Sequence, residues 1–291
     1  MSISTADIKI LREATGAGIL DCKKALEETN GNIDKARIIL EKKGLAAAAK
    51  KENREANEGL ISGQVSDDGK TGVMVEVNCE TDFVARTEDF QDFVAALVRQ
   101  VSEQPNLNNA EALLAAPFID DHSKTVKEQL TDIVAKLGEN MVVRRVARFD
   151  LQGDGLLDSY IHPGGRVGVL VEVADGDSSH SKLAELAHDL ALQIAGVAPR
   201  YVSEDDVPAE AIEAEVKDIQ AQLAEENKPD HIKERIIEGK LKKWYTQVVL
   251  LNQEFIKDPD ITVAKLLQNY EQELGAPITV RRFARFERGV N

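Results

Sequence analysis

The chain reads as an α+β protein: an N-terminal three-helix bundle, two repeated α+β core subdomains with small antiparallel sheets, and an antiparallel helical arm inserted in the second of them. Three observations predict this. The first 55 residues carry short amphipathic stripes punctuated by glycines, two stretches of the chain recur further on, and the recurring units differ in length by a segment with helical stripes of its own. A length of 291 residues suffices for two or three units, each burying a core.

Within 1–55, Ile8 and Leu11 mark one helix, Leu20, Ala25 and Leu26 a second, and Ile33, Ala36 and Leu40 a third. Gly16 and Gly18 break the chain after the first helix, Asn30-Gly31 stops the second in left-handed backbone, and Gly44 after Lys42-Lys43 is expected to end the third. Residues 45–58, rich in Ala, Lys and Glu with little apolar periodicity, predict a solvated helical linker that lets the module move.

The core subdomains are expected at 56–150 and at 151–202 with 250–291. Residues 59–77 align without gaps to 155–173, an offset of 96 with eight of nineteen identical, and 137–149 align to 274–286, an offset of 137 with eight of thirteen identical. Val73, Val75 and Val77 alternate at period two, as do Val169, Val171 and Val173, while Asp68-Gly69 and Gly164-Gly165 supply turns, so each first segment is a hairpin. Each second segment is a closing strand. Between them Phe90, Phe93, Val94, Leu97 and Val101 recur at helical spacing, as do Leu183, Leu186, Leu190 and Ile194 in the other copy. The basic pairs Arg144-Arg145 and Arg281-Arg282 recur inside the closing strands, which assigns them to the sheets rather than to nucleic acid.

The two offsets leave roughly forty extra residues in the second copy, expected as the arm at 203–249. There Ile212, Val216, Ile219 and Leu223, then Ile237, Leu241, Trp244 and Val248, form two stripes separated by Asn227-Lys228-Pro229-Asp230. Mutual packing of two antiparallel helices explains both stripes without a cofactor, and nineteen helical residues would reach roughly 28 Å.

Acidic residues outnumber basic ones by 51 to 36, a formal charge of −15, so no direct nucleic-acid partner is expected. No run approaches the ~20 apolar residues that span a bilayer, and the first residues lead into a polar helix rather than a secretory signal; no membrane partner and a cytoplasmic location are expected. Cys22 and Cys79, far apart and without paired spacing, read as ordinary reduced thiols. Residues 63–71 look like a phosphate-binding loop, but five residues rather than four separate Gly63 from Gly69, two aspartates intervene, and a strand follows instead of a helix. The five histidines fall in no metal or nucleophile pattern, so neither catalytic residues nor a cofactor or metal is expected.

Residues 76–86, Glu-Val-Asn-Cys-Glu-Thr-Asp-Phe-Val-Ala-Arg, and residues 11–26, Leu-Arg-Glu-Ala-Thr-Gly-Ala-Gly-Ile-Leu-Asp-Cys-Lys-Lys-Ala-Leu, are long and specific, and each is similar to a signature of the bacterial elongation factor Ts family. Their order, the repeat and the inserted arm extend the resemblance over nearly the whole chain. It implies that the N-terminal module is a ubiquitin-associated-like bundle and that the two repeats grip elongation factor Tu, in its GDP-bound and nucleotide-free states. The chain would then be a guanine nucleotide exchange factor in translation elongation, displaced by GTP. The alternative is a ubiquitin-associated-like adaptor without exchange activity, which a nucleotide-release assay separates. Residues 288–291 stop short of the further C-terminal segment that longer members carry, so docking through such a segment is not expected.

The resemblance implies that Thr81, Asp82, Phe83 and Val84 meet the partner and dislodge its magnesium, with Phe83 wedged between two helices of the nucleotide domain. Under the offset of 96, Asp82 and Phe83 fall opposite Ser178 and Ser179, so the shared scaffold does not require them. The bland reading makes Asp82 a helix cap and Phe83 part of a local core. Arg12, Ile19, Leu20 and Lys23 are implied contacts around the glycine break; their bland readings are a solvated face for the cations and core packing for the apolar pair. Two adjacent apolar groups behind a tight turn cannot both point inward easily. His162, in Tyr160-Ile161-His162-Pro163, matches a hairpin-tip histidine presented to the partner, although Pro163-Gly164-Gly165 is a residue longer than the commoner pattern.

Overall fold

A computed structural model of the chain describes residues 3–174, 181–224 and 229–290. It begins with three helices, α1 (Thr5–Thr15), α2 (Ile19–Glu28) and α3 (Ile33–Ala49). Ser4 and Asn32 cap the first and third by accepting from the amides of Asp7 and Lys35, and Gly16 ends α1 in left-handed backbone at φ 67°. Leu11, Cys22, Ala25, Leu26, Ala36 and Leu40 form their core. Leu20, expected in that stripe, lies outside it, and Cys22 takes the inward position two residues on.

The first repeat comprises β1 (Glu58–Val65), β2 (Thr71–Cys79), α4 (Asp82–Ala85), α5 (Glu88–Glu103), α6 (Ala110–Ala115), β3 (Pro117–Phe118), β4 (Asp121–Thr125), α7 (Val126–Leu137) and β5 (Met141–Asp150). The second comprises β6 (Gly155–Ile161), β7 (Val167–Ala174), α8 (Ser181–Val197), α9 (Ala209–Ala224), α10 (Asp230–Val248), β8 (Glu254–Phe255), β9 (Asp258–Thr262), α11 (Val263–Leu274) and β10 (Thr279–Glu287). Residues 178 and 179, opposite Asp82 and Phe83 in the repeat, lie outside the described residues, as do 227 and 228 of the expected turn between the stripes.

Gly44 does not end α3, which runs on to Ala49. It lies where α3 crosses α7, and a methyl group there would come within 3.0 Å of the Ala135 Cβ, so the glycine permits close approach. The stretch after it is not a free linker either. Ala48 joins the first repeat's core, and the Asn140 side-chain amide donates to the carbonyls of Arg54 and Glu52 at 2.7 and 3.3 Å.

The sheets have orders β1-β2-β5 and β10-β7-β6, all antiparallel, with the hairpin's second strand central in each. Val73, Val75 and Val77 pack on Phe90, Phe93, Val94, Leu97 and Val101 of α5; Val169, Val171 and Val173 pack on Leu183, Leu186, Leu190 and Ile194 of α8. The opposite faces are buried too, because the sheets pack on each other through Ile61, Met74, Ala147, Leu170 and Phe286. This closeness explains the repeated Gly72 and Gly168: an added Cβ would fall 2.5 Å from Leu170 in one case and 2.5 Å from Ile61 in the other.

The arginine pairs sit at this joint. Each closing strand carries a β-bulge at Arg144 or Arg281, which re-aims consecutive side chains that would otherwise point to opposite faces. Arg145 pairs with the fully buried Glu76 at 2.5 Å, and Arg281 and Arg282 both pair with the fully buried Glu172 at 2.7 Å. The contacts are reciprocal between repeats: Arg145 stacks over Phe286 and donates to the Glu287 carbonyl, while Arg282 stacks over Phe149 and donates to the Asp150 carbonyl. A further echo is the short β3-β4 and β8-β9 hairpins. A buried glutamine pins each, Gln100 through Pro117 and Ile119, Gln193 through Glu254 and Ile256.

Ile219 and Leu223 of α9 are buried, and Ile212, Trp244 and Tyr245 gather with Val207, Val248 and Val249 where α9 and α10 meet the second repeat. Lys240 donates to Gln222 between the two helices at 2.7 Å. Among the described residues no helix is long and apolar enough to cross a membrane.

Candidate partner-binding site

At the end of β2 the chain leaves the sheet and makes the single helical turn α4. Thr81, in extended backbone, is its cap, with a hydroxyl that accepts from the Val84 amide at 3.4 Å. The cap is itself held. Its amide and hydroxyl donate to the two oxygens of Glu139 at 2.9 and 2.6 Å, and its carbonyl accepts from the Cys79 thiol at 3.1 Å. Thr87 closes the turn by donating to the Val84 carbonyl at 2.8 Å before capping α5.

A single helical turn splays its side chains around the axis, so not all of them can face the core. Val84 and Ala85 enter the first repeat's core, Val84 with 9% of its surface exposed, and Phe83 is left 78% exposed. The bland reading therefore fails for both neighbours, since Thr81 is the cap and Val84 fills the local core. Val84, expected at the contact surface, instead anchors the turn from within. Asp82 is half exposed and pairs with Arg86 at 2.7 Å, one turn along.

Cys79 lies fully buried beneath this turn. Burial, then the Glu139 carboxylate, push its thiol from the usual 9.0 up to about 12, so the sulfur stays protonated and keeps donating to Thr81. Burial raises Cys22 as well. Two outcomes are expected. Iodoacetamide at pH 8 labels neither thiol in the folded chain and both in guanidinium, and rapid native-state labelling of Cys79 would contradict its role as a buried donor. Because the folded value lies above the ordinary one, this contribution to stability is intact below pH 9.0 and is lost as pH rises toward about 12. Alkaline melts should register that loss at up to about 1.4 kcal/mol per pH unit.

The helical module offers a second apolar tip. Gly18 begins α2 without a side-chain cap, and the next residues, Ile19 and Leu20, are 55% and 74% exposed. Arg12 and Lys23 are exposed as well, Lys23 facing Glu27 at 3.8 Å. His162 stands exposed at the tip of the β6-β7 hairpin, its Nδ1 bonded to the Tyr160 hydroxyl at 2.9 Å. The residue that lengthens this hairpin has a use: the carbonyl of Gly165 accepts from the Ile61 amide at 2.9 Å and docks the tip on β1 of the first repeat. The bond from Tyr160 to His162 and the part of Glu139 were not foreseen; Glu139 lies 58 residues from Thr81, and no local signal links the two.

Among the described residues no group of three or more metal-binding side chains occurs. What the site presents is two apolar tips, one aromatic and one aliphatic, on rigid turns flanked by charge. That suits a protein surface rather than a small molecule.

Comparison with known proteins agrees with the signatures. Residues 80–290 match the family model described as elongation factor TS. The chain is 49% identical over 287 residues to elongation factor Ts of Clostridium perfringens, covering 99% of this chain and 93% of that protein. Over the same length and the same shares it is 46% identical to elongation factor Ts of Clostridium botulinum and 45% identical to that of Clostridium kluyveri. With this identity sustained along both repeats and the module, the chain belongs to the elongation factor Ts family.

Proposed function

We propose that the chain is the guanine nucleotide exchange factor for elongation factor Tu, acting by contact and without catalytic residues of its own. The observation that carries this reading is Phe83, an aromatic ring held out in water by a turn whose cap, Thr81, is bonded to Glu139. An exposed phenyl ring forgoes roughly 2–3 kcal/mol that burial in a partner would recover.

A GTPase that holds its nucleotide at nanomolar affinity has about 12 kcal/mol of binding to overcome. An exchange factor lowers it only by binding the nucleotide-free form better than the loaded form, and the nucleotide weakens the factor by the same ratio. Much of that affinity rests on a magnesium ion and on backbone amides around the phosphates. Phe83 enters between two helices of the nucleotide domain and shifts the segment holding the metal, Asp82 brings a competing carboxylate, and Thr81 and Val84 keep the turn in shape. Arg12, Ile19, Leu20 and Lys23 dock the module, and His162 meets the partner from the second repeat. GDP-bound and nucleotide-free factor Tu are both bound, and incoming GTP drives the exchange factor off.

In this reading 1–55 is a ubiquitin-associated-like module, 56–150 and 151–202 with 250–291 are the two core subdomains, and 203–249 is a coiled-coil arm. The direct test is release of labelled GDP from purified elongation factor Tu with and without this chain. Acceleration is expected; complex formation with an unchanged release rate would leave only an adaptor.

A further inference from the structure

We infer that the five residues from Lys136 to Asn140 set the spatial relation between the two apolar tips, which makes Lys136 and Glu139 positioning residues for exchange; this rests on the proposed function. The segment comprises the last two residues of α7 and the three that follow, with Gly138 turning the chain in left-handed backbone at φ 83°. From it, contacts and hydrogen bonds run to three separate parts of the protein.

Lys136 reaches the module. Its stem lies against Gly16, where an added Cβ would come 2.8 Å from Cγ, and its Nζ donates at 2.6 Å to Asp89 in the first turn of α5. Gly16 opens the loop that ends in Ile19 and Leu20. Glu139 holds the Phe83 turn through the amide and hydroxyl of Thr81. Asn140 is buried; its side-chain amide donates to the carbonyls of Glu52 and Arg54, and its backbone amide donates at 2.6 Å to Glu80 just before the turn. Module, connecting stretch and wedge are thereby tied to one short peptide.

The repeat supplies an internal control. Under the offset of 137 the corresponding residues are Glu273, Leu274, Gly275, Ala276 and Pro277. Gly275 caps α11 in left-handed backbone as Gly138 caps α7, and Glu273 pairs with Lys182 as Lys136 pairs with Asp89, with the charges exchanged. Glu139 and Asn140, by contrast, become alanine and proline, neither of which can make their side-chain bonds. The scaffold closes equally well without them. They occur only in the copy that carries the exposed phenylalanine and the helical module.

A wedge with no second fixed point would be displaced by the surface it presses on. Two tips held at a set separation let docking energy at Ile19 and Leu20 be spent as strain at Phe83. The two positioning residues should then separate kinetically: Glu139 acts on the wedge and so on kcat, while Lys136 acts on docking and so on KM.

The test measures kcat and KM for labelled-GDP release from elongation factor Tu with full-length variants, beside Phe83→Ala and thermal melts. Losing two hydrogen bonds to a carboxylate, Glu139→Ala is expected to lower kcat by about tenfold with KM within about twofold. Glu139→Gln, which keeps an oxygen for Thr81, should recover most of the rate. Lys136→Ala should raise KM with kcat retained, and Lys136→Met should restore it, because the stem rather than the charge meets Gly16. Hydrogen exchange at the Thr81 amide, which needs no partner, should quicken in Glu139→Ala. Parental kcat for Glu139→Ala alongside a slow Phe83→Ala overturns the inference and leaves the proposed function standing. Equal defects in the alanine and glutamine variants, or unchanged Thr81 exchange, also overturn it. Parental release by Phe83→Ala strikes the proposed function itself.

Discussion

Replacing Phe83 by alanine is expected to slow release of GDP from elongation factor Tu by about 30- to 100-fold while leaving the melting temperature of the free chain within about 1 °C. The two halves of this result have one origin. In the free protein the ring is 78% exposed, so truncation removes almost no packing, and the turn stays closed by Thr81, Glu139, Cys79 and Thr87. In the proposed mechanism the ring's burial would contribute roughly 2–3 kcal/mol where the metal-holding segment is displaced. Asp82→Ala should act in the same direction with a smaller effect, since the carboxylate is shared with Arg86. Stopped-flow release at parental rates by both variants would remove the wedge from the mechanism. A large loss of thermal stability in Phe83→Ala would instead mean that the ring packs within the free protein.

The same turn shows where sequence reasoning reached and where it ended. The signature around Phe83 was legible as a motif, but in the run Phe83-Val84-Ala85 nothing local says which residue faces water. That choice is made by the phase of a one-turn helix, set by Thr81 and by Glu139 from beyond α7. Two recurrent offsets revealed both repeats because they span strands of seven to ten residues, long enough for alternation to register. The β3-β4 and β8-β9 hairpins begin with strands of two residues, too short for any period, although Phe118-Ile119 and Phe255-Ile256 share the offset of the closing strands. Gly44 was misread because a lone glycine signals a helix stop and a close helix crossing equally well, and only the approach of Ala135 decides between them. The place of Leu20 in the inward stripe, though not its expected place at the contact surface, fails because Leu20, Ala25 and Leu26 fit helical spacing as well as a stripe that uses Cys22. The second buried face of each sheet was hidden by Glu76 and Glu172, charged residues that mark an open face in most strands.

Those two carboxylates carry the other large expected effect. Glu172→Ala should destabilise the core by about 3–5 kcal/mol, because it leaves Arg281 and Arg282 at the inter-repeat joint without their shared counter-charge. For a core of this size the melting temperature should fall by about 5–10 °C. Glu76→Ala should cost a similar amount through Arg145, whose guanidinium lies over Phe286 of the other repeat. Glu172→Gln should lose less, since an amide oxygen still accepts from one guanidinium. The reciprocity of the joint makes the prediction sharper than a lone buried ion pair would allow. Arg145 and Arg282 each cross to the opposite repeat's phenylalanine and terminal carbonyl, so removing either carboxylate loosens both sheets together, and calorimetry should show one transition shifted rather than one repeat melting early. At this joint each of these guanidiniums already pairs with a buried carboxylate. A salt-sensitive RNA complex abolished by Arg145→Ala and Arg282→Ala, with melting unchanged, would show that these arginines face outward to a nucleic acid instead.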